Sequence, residues 1–358
     1  MLKRVSIQNF KSLKDVTLDL QKVNLLIGPN NSGKTNFLKA LEMFDWLVEK
    51  NAIPGEVSRF SYRGGSHSDV IIHAIVDSNN SNNFNAINIL HLALEFKNGR
   101  ATAHKWSNKS FEYLFSDDTS VLDSNTLKGA FGYLKIYKPN PELIVKSSLL
   151  SSDEVLESDC GNIIPFIFNL SQNHKKIFRR LEDSLQTSVG DIVSIGTPSV
   201  SSKEGNRLRL KFFDQEENDF WADEVSEGVL YFLALLCIIN QPNPPKLLLL
   251  EEPERGIHPR RIREVMDFIF RLAEEKDVQI IMTTHNEHVL DDFATRPESV
   301  FVFDKDEEGA TYVRNLQKDI IEPTNQRNLE LGLDEVDLTT NLSENWLYGL
   351  LGGVPTIL

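Results

Sequence analysis

The sequence predicts an α/β fold with a mixed β-sheet core and a helical and strand insertion lobe. Three observations predict it. A short apolar run, residues 23–27, leads into Gly28-Pro29-Asn30-Asn31-Ser32-Gly33-Lys34-Thr35 and then into a helix pattern with Phe37, Leu38, Leu41 and Phe44 on one face. The four-leucine run 247–250, and residues 278–284 (VQIIMTT), read as two more buried strands. Residues 2–9 and 14–20 alternate apolar and polar, as a hairpin does, with Asn9-Phe10-Lys11-Ser12 as its turn.

The first of these elements carries chemistry. Residues 28–35 satisfy G-x-x-x-x-G-K-[ST] at every fixed position, and strand, loop and helix follow in the order the phosphate-binding loop requires. Gly28 and Gly33 let the backbone curl so that its N–H groups point inward at phosphate oxygens. The following helix N-terminus adds partial positive charge. Lys34 is placed to reach the β- and γ-phosphates, and the Thr35 hydroxyl to help hold Mg²⁺. Asn30, Asn31, Ser32 and Asn36 complete the expected nucleotide-binding set.

The remaining elements follow in chain order. The loop helix is expected to run to about residue 49, ahead of Pro54-Gly55. Residues 70–76 and 87–96 read as strands separated by an Asn/Ser-rich turn at 78–84. Residues 97–160 are less regular, with one apolar strand expected at 133–137. Residues 161–188 read as helical and contain Lys175-Lys176-Ile177-Phe178-Arg179-Arg180, the densest cationic cluster. A solvated helix face is the favoured reading of that cluster over a DNA-binding patch. Residues 207–213 alternate as a strand. No heptad pattern is sustained, so no long coiled coil is expected.

The 358 residues are enough for one large domain or two. The net charge of −14 excludes a surface that binds nucleic acid everywhere; DNA contact would need a local basic patch. The two cysteines, Cys160 and Cys237, define neither a disulfide framework nor a zinc site. No signal-peptide pattern opens the chain, and the longest apolar run, 229–239, is well short of the ~20 residues of a membrane span. The expected location is the cytoplasm, without membrane partners.

A second group of residues complements the loop. The leucine run 247–250 ends in Glu251-Glu252, which puts carboxylates at the sheet edge that carries the loop. Glu251 is expected to approach Mg²⁺ and Glu252 to polarise an attacking water as general base. The run 278–284 ends at His285, which can donate a hydrogen bond to a γ-phosphate. In Asp223-Glu224-Val225-Ser226-Glu227-Gly228, ahead of the apolar helix 229–239, Ser226 and Gly228 sit where a helix begins. An ordinary N-cap is the plain reading there; a second anion-binding site is the functional one.

Together these stretches resemble the ABC-type ATPase heads of the SMC, RecF and OLD-like group. The likeness is nearest to the ATPase subunits of bacterial anti-phage systems of OLD-like, Septu or PARIS type. It rests on IQNFKSLKDVTLDL, GPNNSGKTNFLKAL, VSEGVLYFLALL, LLLLEEPERGIHP, MTTHNEHVLDDF and the tail ENWLYGLLGGVP. It covers residues 97–205 poorly. The resemblance implies an ABC-type P-loop head, with 1–96 and 230–358 forming the nucleotide-binding lobe and 97–229 an insertion carrying the signature. It implies ATP and Mg²⁺ as cofactors. It also implies a head-to-tail homodimer in which each ATP meets Lys34 and Thr35 of one copy and Ser226 and Gly228 of the other. Residues 254–258 would form the loop at the dimer seam.

Three departures stand beside the likeness. The signature reads VSEGV rather than LSGGQ. Residues 60–69 hold none of the glutamine such heads place there. Glu251 replaces the commoner aspartate. OLD nucleases carry a Toprim domain after the ATPase. Roughly seventy residues follow His285, fewer than a further domain of about 100 residues would take. Asp304-Lys305-Asp306 is read as the turn of a hairpin rather than a Toprim D-x-D. The expected function is an ATPase acting as sensor or regulatory subunit of a defence complex, with a nuclease or toxin as separate effector and only transient DNA contact. A RecF-like DNA-maintenance ATPase and an ATP-binding scaffold with little turnover are the alternatives.

Overall fold

The computed structural model describes residues 1–50, 62, 70–77, 89–97, 100–107, 110–115, 135–151, 153–202, 205–242, 244–255 and 257–354. The expectations for Pro54-Gly55, for the turn at 78–84 and for nearly all of 60–69 lie outside these residues. The chain forms two compact units: residues 1–136, 246–252 and 273–358, and residues 137–245 and 253–272. Where the sequence put its boundaries at 97 and 229, compactness puts them elsewhere for two reasons. Strands continue the first unit's sheet past residue 97, and the signature helix groups with the second unit.

The first unit begins with β1 (Leu2–Phe10), β2 (Leu13–Asp19) and β3 (Val23–Ile27), followed by helix α1 (Lys34–Lys50). The hairpin β1–β2 pairs Val5 with Leu18 and Ile7 with Val16, so its alternating apolar residues share one face. β3 is buried at all five positions. β4 (Val70–Asp77), β5 (Ile89–Lys97), β6 (Arg100–Ser107) and β7 (Ser110–Phe115) extend an antiparallel arm from β1. β6 and β7 had no counterpart in the sequence reading: Arg100-Ala101-Thr102-Ala103-His104-Lys105 offers little apolar alternation, whereas Phe111, Tyr113 and Phe115 of β7 do alternate and were a signal left out. The strand expected at 133–137 shrinks to β8 (Ile136–Tyr137).

The second unit holds α2 (Pro141–Ile144), α3 (Ile163–Asn173) and α4 (Lys175–Val189). The single helix read at 161–188 breaks at His174, whose backbone leaves helical values. Lys175, Lys176, Arg179 and Arg180 are all exposed on α4. β9 (Ile192–Gly196), β10 (Ser199–Ser202), β11 (Gly205–Leu208), β12 (Lys211–Asp214) and β13 (Asp219–Trp221) follow. The strand read at 207–213 is therefore two: Leu208 pairs with Ser199, whereas Lys211 pairs with Gly196 in another sheet. Alternation of period two is the same on both sides of that break, so sequence pattern alone does not reveal it. α5 (Glu227–Ile239) is buried from Gly228 to Ile239. Phe232 of α5 meets Phe268 of α6 (Pro259–Glu275) edge-to-face, ring centroids 5.0 Å apart. Cys160 and Cys237 are both buried, and neither is in a disulfide among the described residues.

The first unit is completed by β14 (Leu247–Glu251), β15 (Gln279–Thr283), α7 (Glu287–Asp291), β16 (Val300–Lys305) and β17 (Thr311–Asn315). After a π-helical turn at Leu316–Ile321 come α8 (Glu322–Glu330) and α9 (Leu342–Leu347). The large sheet runs β7-β6-β5-β4-β1-β2-β17-β16-β3-β15-β14-β8. β14, β15, β3 and β16 are mutually parallel, with all but the ends of their residues buried. β16 and β17 form the expected antiparallel hairpin, with Asp304 opposite Tyr312. The hairpin is as read from sequence, but Asp304 and Lys305 belong to strand β16 rather than to its turn, which begins at Asp306. No described helix is long and apolar enough to cross a membrane.

Candidate functional site

Because β3, β14 and β15 run parallel, their carboxyl ends share one edge of the sheet, and the residues that follow them cluster there. After β3 the loop turns at Ser32, whose N–H donates to the Pro29 carbonyl at 3.2 Å. The helix then starts with Phe37 N–H donating to Gly33 at 3.0 Å. Both fixed glycines are required. Gly28 and Gly33 have φ of +140° and +111°. A Cβ on Gly28 would lie 2.1 Å from the Phe303 carbonyl oxygen of β16, and one on Gly33 2.3 Å from Thr311 Oγ1. Asn30 and Asn31 are exposed at the tip, and Asn31 also has positive φ.

Lys34 is only 5 % exposed and points back into the loop, donating to the Gly28 carbonyl at 2.7 Å and the Pro29 carbonyl at 3.0 Å. Burial pushes its ammonium down to about 8, against the opposing pull of Glu252 and Glu251. Ser32 is 1 % exposed, and its Oγ has no hydrogen-bond partner among the described residues. A buried hydroxyl without a partner and a desolvated cation in one loop fit a triphosphate, whose oxygens accept from both.

Thr35, in the first turn of α1, donates to Glu251 Oε1 at 2.5 Å. Strand β14 and helix α1 thereby bring a hydroxyl and a carboxylate together, the oxygen donors a hard cation prefers. Thr35 and Glu251 are the residues that would hold Mg²⁺, which when bound neutralises charge on the phosphates. Glu42, two turns further along α1 on Thr35's face, accepts from Ile136 N–H at 2.7 Å. Its carboxyl is raised mainly by burial, with Glu251 adding to the effect. The i+7 spacing from Thr35 was the available signal for Glu42.

Glu252 leaves β14 with φ +50°, an uncommon backbone value for glutamate. Its N–H donates to the Thr283 carbonyl at 3.1 Å, so the end of β15 holds it. Its carboxylate Oε1 lies 3.9 Å from His285 Nε2, and both side chains are partly exposed. A carboxylate beside an imidazole at the open end of the sheet is suited to accepting a proton from water while the imidazole addresses a phosphate oxygen.

The tail singled out in the sequence also meets this edge. Trp346 Nε1–H donates to the Gly353 carbonyl at 3.2 Å, and Gly353 N–H to Asp304 Oδ2 at 3.3 Å. A Cβ on Gly353 would lie 3.4 Å from the Gly28 Cα.

The first unit therefore brings Lys34, Thr35, Glu251, Glu252 and His285 to one edge. Ser226 and Gly228 lie in the second unit, with each other. Ser226 caps α5, accepting from Val229 N–H at 3.5 Å, and also accepts from Arg261 Nη1 at 2.7 Å. Gly228 is buried, and a Cβ there would be 3.7 Å from the same guanidinium nitrogen. Arg261 was not foreseen from sequence, since nothing in the spacing links residue 261 to 226. Glu254 is buried, His258 is exposed, and Gly256 between them lies outside the described residues.

Sheet order, phosphate loop and carboxylate edge define an ABC-type P-loop ATPase fold of the SMC-head kind. A solved structure of an SMC head bound to the C-winged helix domain of ScpA matches with a TM-score of 0.57 at 15 % identity, covering 87 % of this chain and 96 % of that one. A family profile described as "AAA ATPase domain" matches residues 1–154, and one described as "AAA domain, putative AbiEii toxin, Type IV TA system" matches residues 167–291. Among curated relatives, an ATP/GTP phosphatase of Helicobacter pylori is 21 % identical, over 81 % of this chain and 87 % of that protein. An OLD nuclease of Thermus scotoductus is 24 % identical, over 91 % of this chain and 67 % of that protein. The profile matches support an AAA-type ATPase, and the solved structure supports the SMC-head fold alone.

Proposed function

We propose that the chain hydrolyses ATP to ADP and phosphate, pairs head-to-tail with a second copy around the nucleotide, and serves as the sensor or regulatory subunit of an anti-phage defence complex. One observation carries the catalytic part: Lys34, the Thr35–Glu251 pair and the Glu252–His285 pair converge on one edge of a single sheet. Gly28, Ser32, Gly33 and Lys34 grip the phosphates, with Asn30, Asn31 and Asn36 around them. Glu252 takes the proton of the attacking water, and His285 donates to the γ-phosphate. The partner copy supplies Ser226 and Gly228. A bound nucleotide thereby fixes the distance between two subunits, and hydrolysis releases it.

The defence role and the separate effector rest on the likeness to a Type IV TA system domain and to an OLD nuclease. Affinity purification from the native host, with and without ATP, tests them. The expected result is a nuclease or toxin whose recovery changes with ATP. Recovery of this chain alone in both conditions would contradict the regulatory role and leave the ATPase chemistry standing.

A further inference from the structure

Three polar side chains connect distant parts of the first unit to the phosphate loop. Asn36 Nδ2 donates to Ser12 Oγ at 2.9 Å. Ser12 Oγ and Thr311 Oγ1 are 2.8 Å apart. Thr311 Oγ1 donates to the Ser32 carbonyl at 2.7 Å. A hydroxyl has one proton, and a carbonyl and an amide N–H leave no choice at either end of this run. Thr311 is the donor in both of its contacts, so its one proton serves the Ser32 carbonyl or Ser12 Oγ. The relay therefore meets at Ser12 Oγ, which accepts from Asn36 and from Thr311, while Thr311 also reaches the Ser32 carbonyl.

Its members come from three separate places. Ser12 lies in the β1–β2 turn, Asn36 in the first turn of α1, and Thr311 opens β17. Thr311 is 2 % exposed, its N–H donates to the Ser12 carbonyl at 2.8 Å, and it pairs across to Leu13 where β17 meets β2. The same two hydroxyls occupy the space a side chain at residue 33 would need: a Cβ there would meet Thr311 Oγ1 at 2.3 Å and Ser12 Oγ at 3.0 Å.

We propose that Thr311 and Ser12 are positioning residues for nucleotide binding, acting through the Ser32–Gly33 peptide; this rests on the ATP-binding reading above. A trans peptide is planar, with its C=O and N–H pointing in opposite directions. Thr311 holds the Ser32 oxygen, so the Gly33 N–H is turned to the opposite side, as a phosphate donor. The relay sets that plane before ATP arrives, so binding need not order it. Asn36, expected from sequence to contact nucleotide, then donates into the relay at Ser12.

The test compares Mg²⁺ and AMP-PNP binding by calorimetry, together with ATP turnover, in wild type, Thr311→Val, Thr311→Ser and Ser12→Ala. Valine keeps the shape of threonine and removes the donor. A buried carbonyl losing its partner predicts AMP-PNP affinity about 10-fold weaker in Thr311→Val, carried in KM, with kcat at saturating ATP within about twofold of wild type. Thr311→Ser restores the donor and the affinity. Ser12→Ala, at a half-buried turn, gives a weakening of about threefold. It decides the matter if the valine variant does not fold. Wild-type affinity in a folded Thr311→Val, or in Ser12→Ala when valine does not fold, would overturn the relay. Failure of wild type itself to bind AMP-PNP would instead overturn the ATP-binding reading beneath it.

Discussion

Lys34→Ala is expected to weaken ATP binding by about 100-fold or more, since it removes two charge-assisted hydrogen bonds of about 1.5–3 kcal/mol each. The loss is larger than that of a surface lysine for a structural reason. Lys34 is buried in its own loop, and Glu251 and Glu252 face it. Without its cation, those carboxylates oppose a triphosphate. The wild-type pH profile reports the same group. With the free ammonium depressed to about 8 and a bound triphosphate drawing it upward, ATP binds the protonated form preferentially. Affinity should be flat below pH 8 and fall above it, with proton uptake on binding that calorimetry in buffers of different ionisation enthalpy detects. Normal affinity in Lys34→Ala would remove Lys34 from the site, and a profile flat through pH 10 would show that its ammonium is not depressed.

Glu252→Gln is expected to bind ATP and lose turnover by about 10²- to 10⁴-fold, the usual contribution of a general base. Glutamine keeps the length and the backbone donor to Thr283 but does not accept a proton at neutral pH. The ATP-bound form should therefore accumulate as a particle of doubled mass, seen by light scattering, and remain a single copy without nucleotide. Turnover like wild type would take the catalytic role from Glu252. The positive φ at this residue is part of the reading: an uncommon backbone value, kept by the contact with Thr283, aims the carboxylate toward His285 rather than along β14.

Much of this edge was legible in the sequence because its elements are short, local and chemically marked. The strand–GPNNSGKT–helix unit has its boundaries written in glycines, β14 announces itself as four leucines ending in Glu251, and β15 centres on Ile280-Ile281-Met282. The β16–β17 hairpin was equally local. What escaped depends on contacts between remote segments. Thr311 and Ser12 carry no motif; their role arises where β17 meets the β1–β2 turn. Arg261 reaches Ser226 only because α6 and the start of α5 come together in the folded second unit. β6 shows little of the apolar alternation that marks a strand and is placed by pairing with β5, whereas β7 carries Phe111, Tyr113 and Phe115 at alternate positions, a strand signal the sequence reading left out, and pairs with β6. The break in 207–213 is invisible to period-two patterning, since both halves keep the alternation.

The central claim is that each nucleotide is shared by two copies of the chain, and a mixing experiment tests it most directly. Lys34→Ala and Ser226→Arg are purified separately, and each alone should show almost no ATP hydrolysis. Mixed in equal amounts, half of the symmetric pairs become mixed pairs, each with one pocket holding both defects and one holding neither. The account predicts that hydrolysis returns to about one quarter of the wild-type rate. A mixture no more active than its components, with Ser226→Arg alone retaining wild-type turnover, would contradict it.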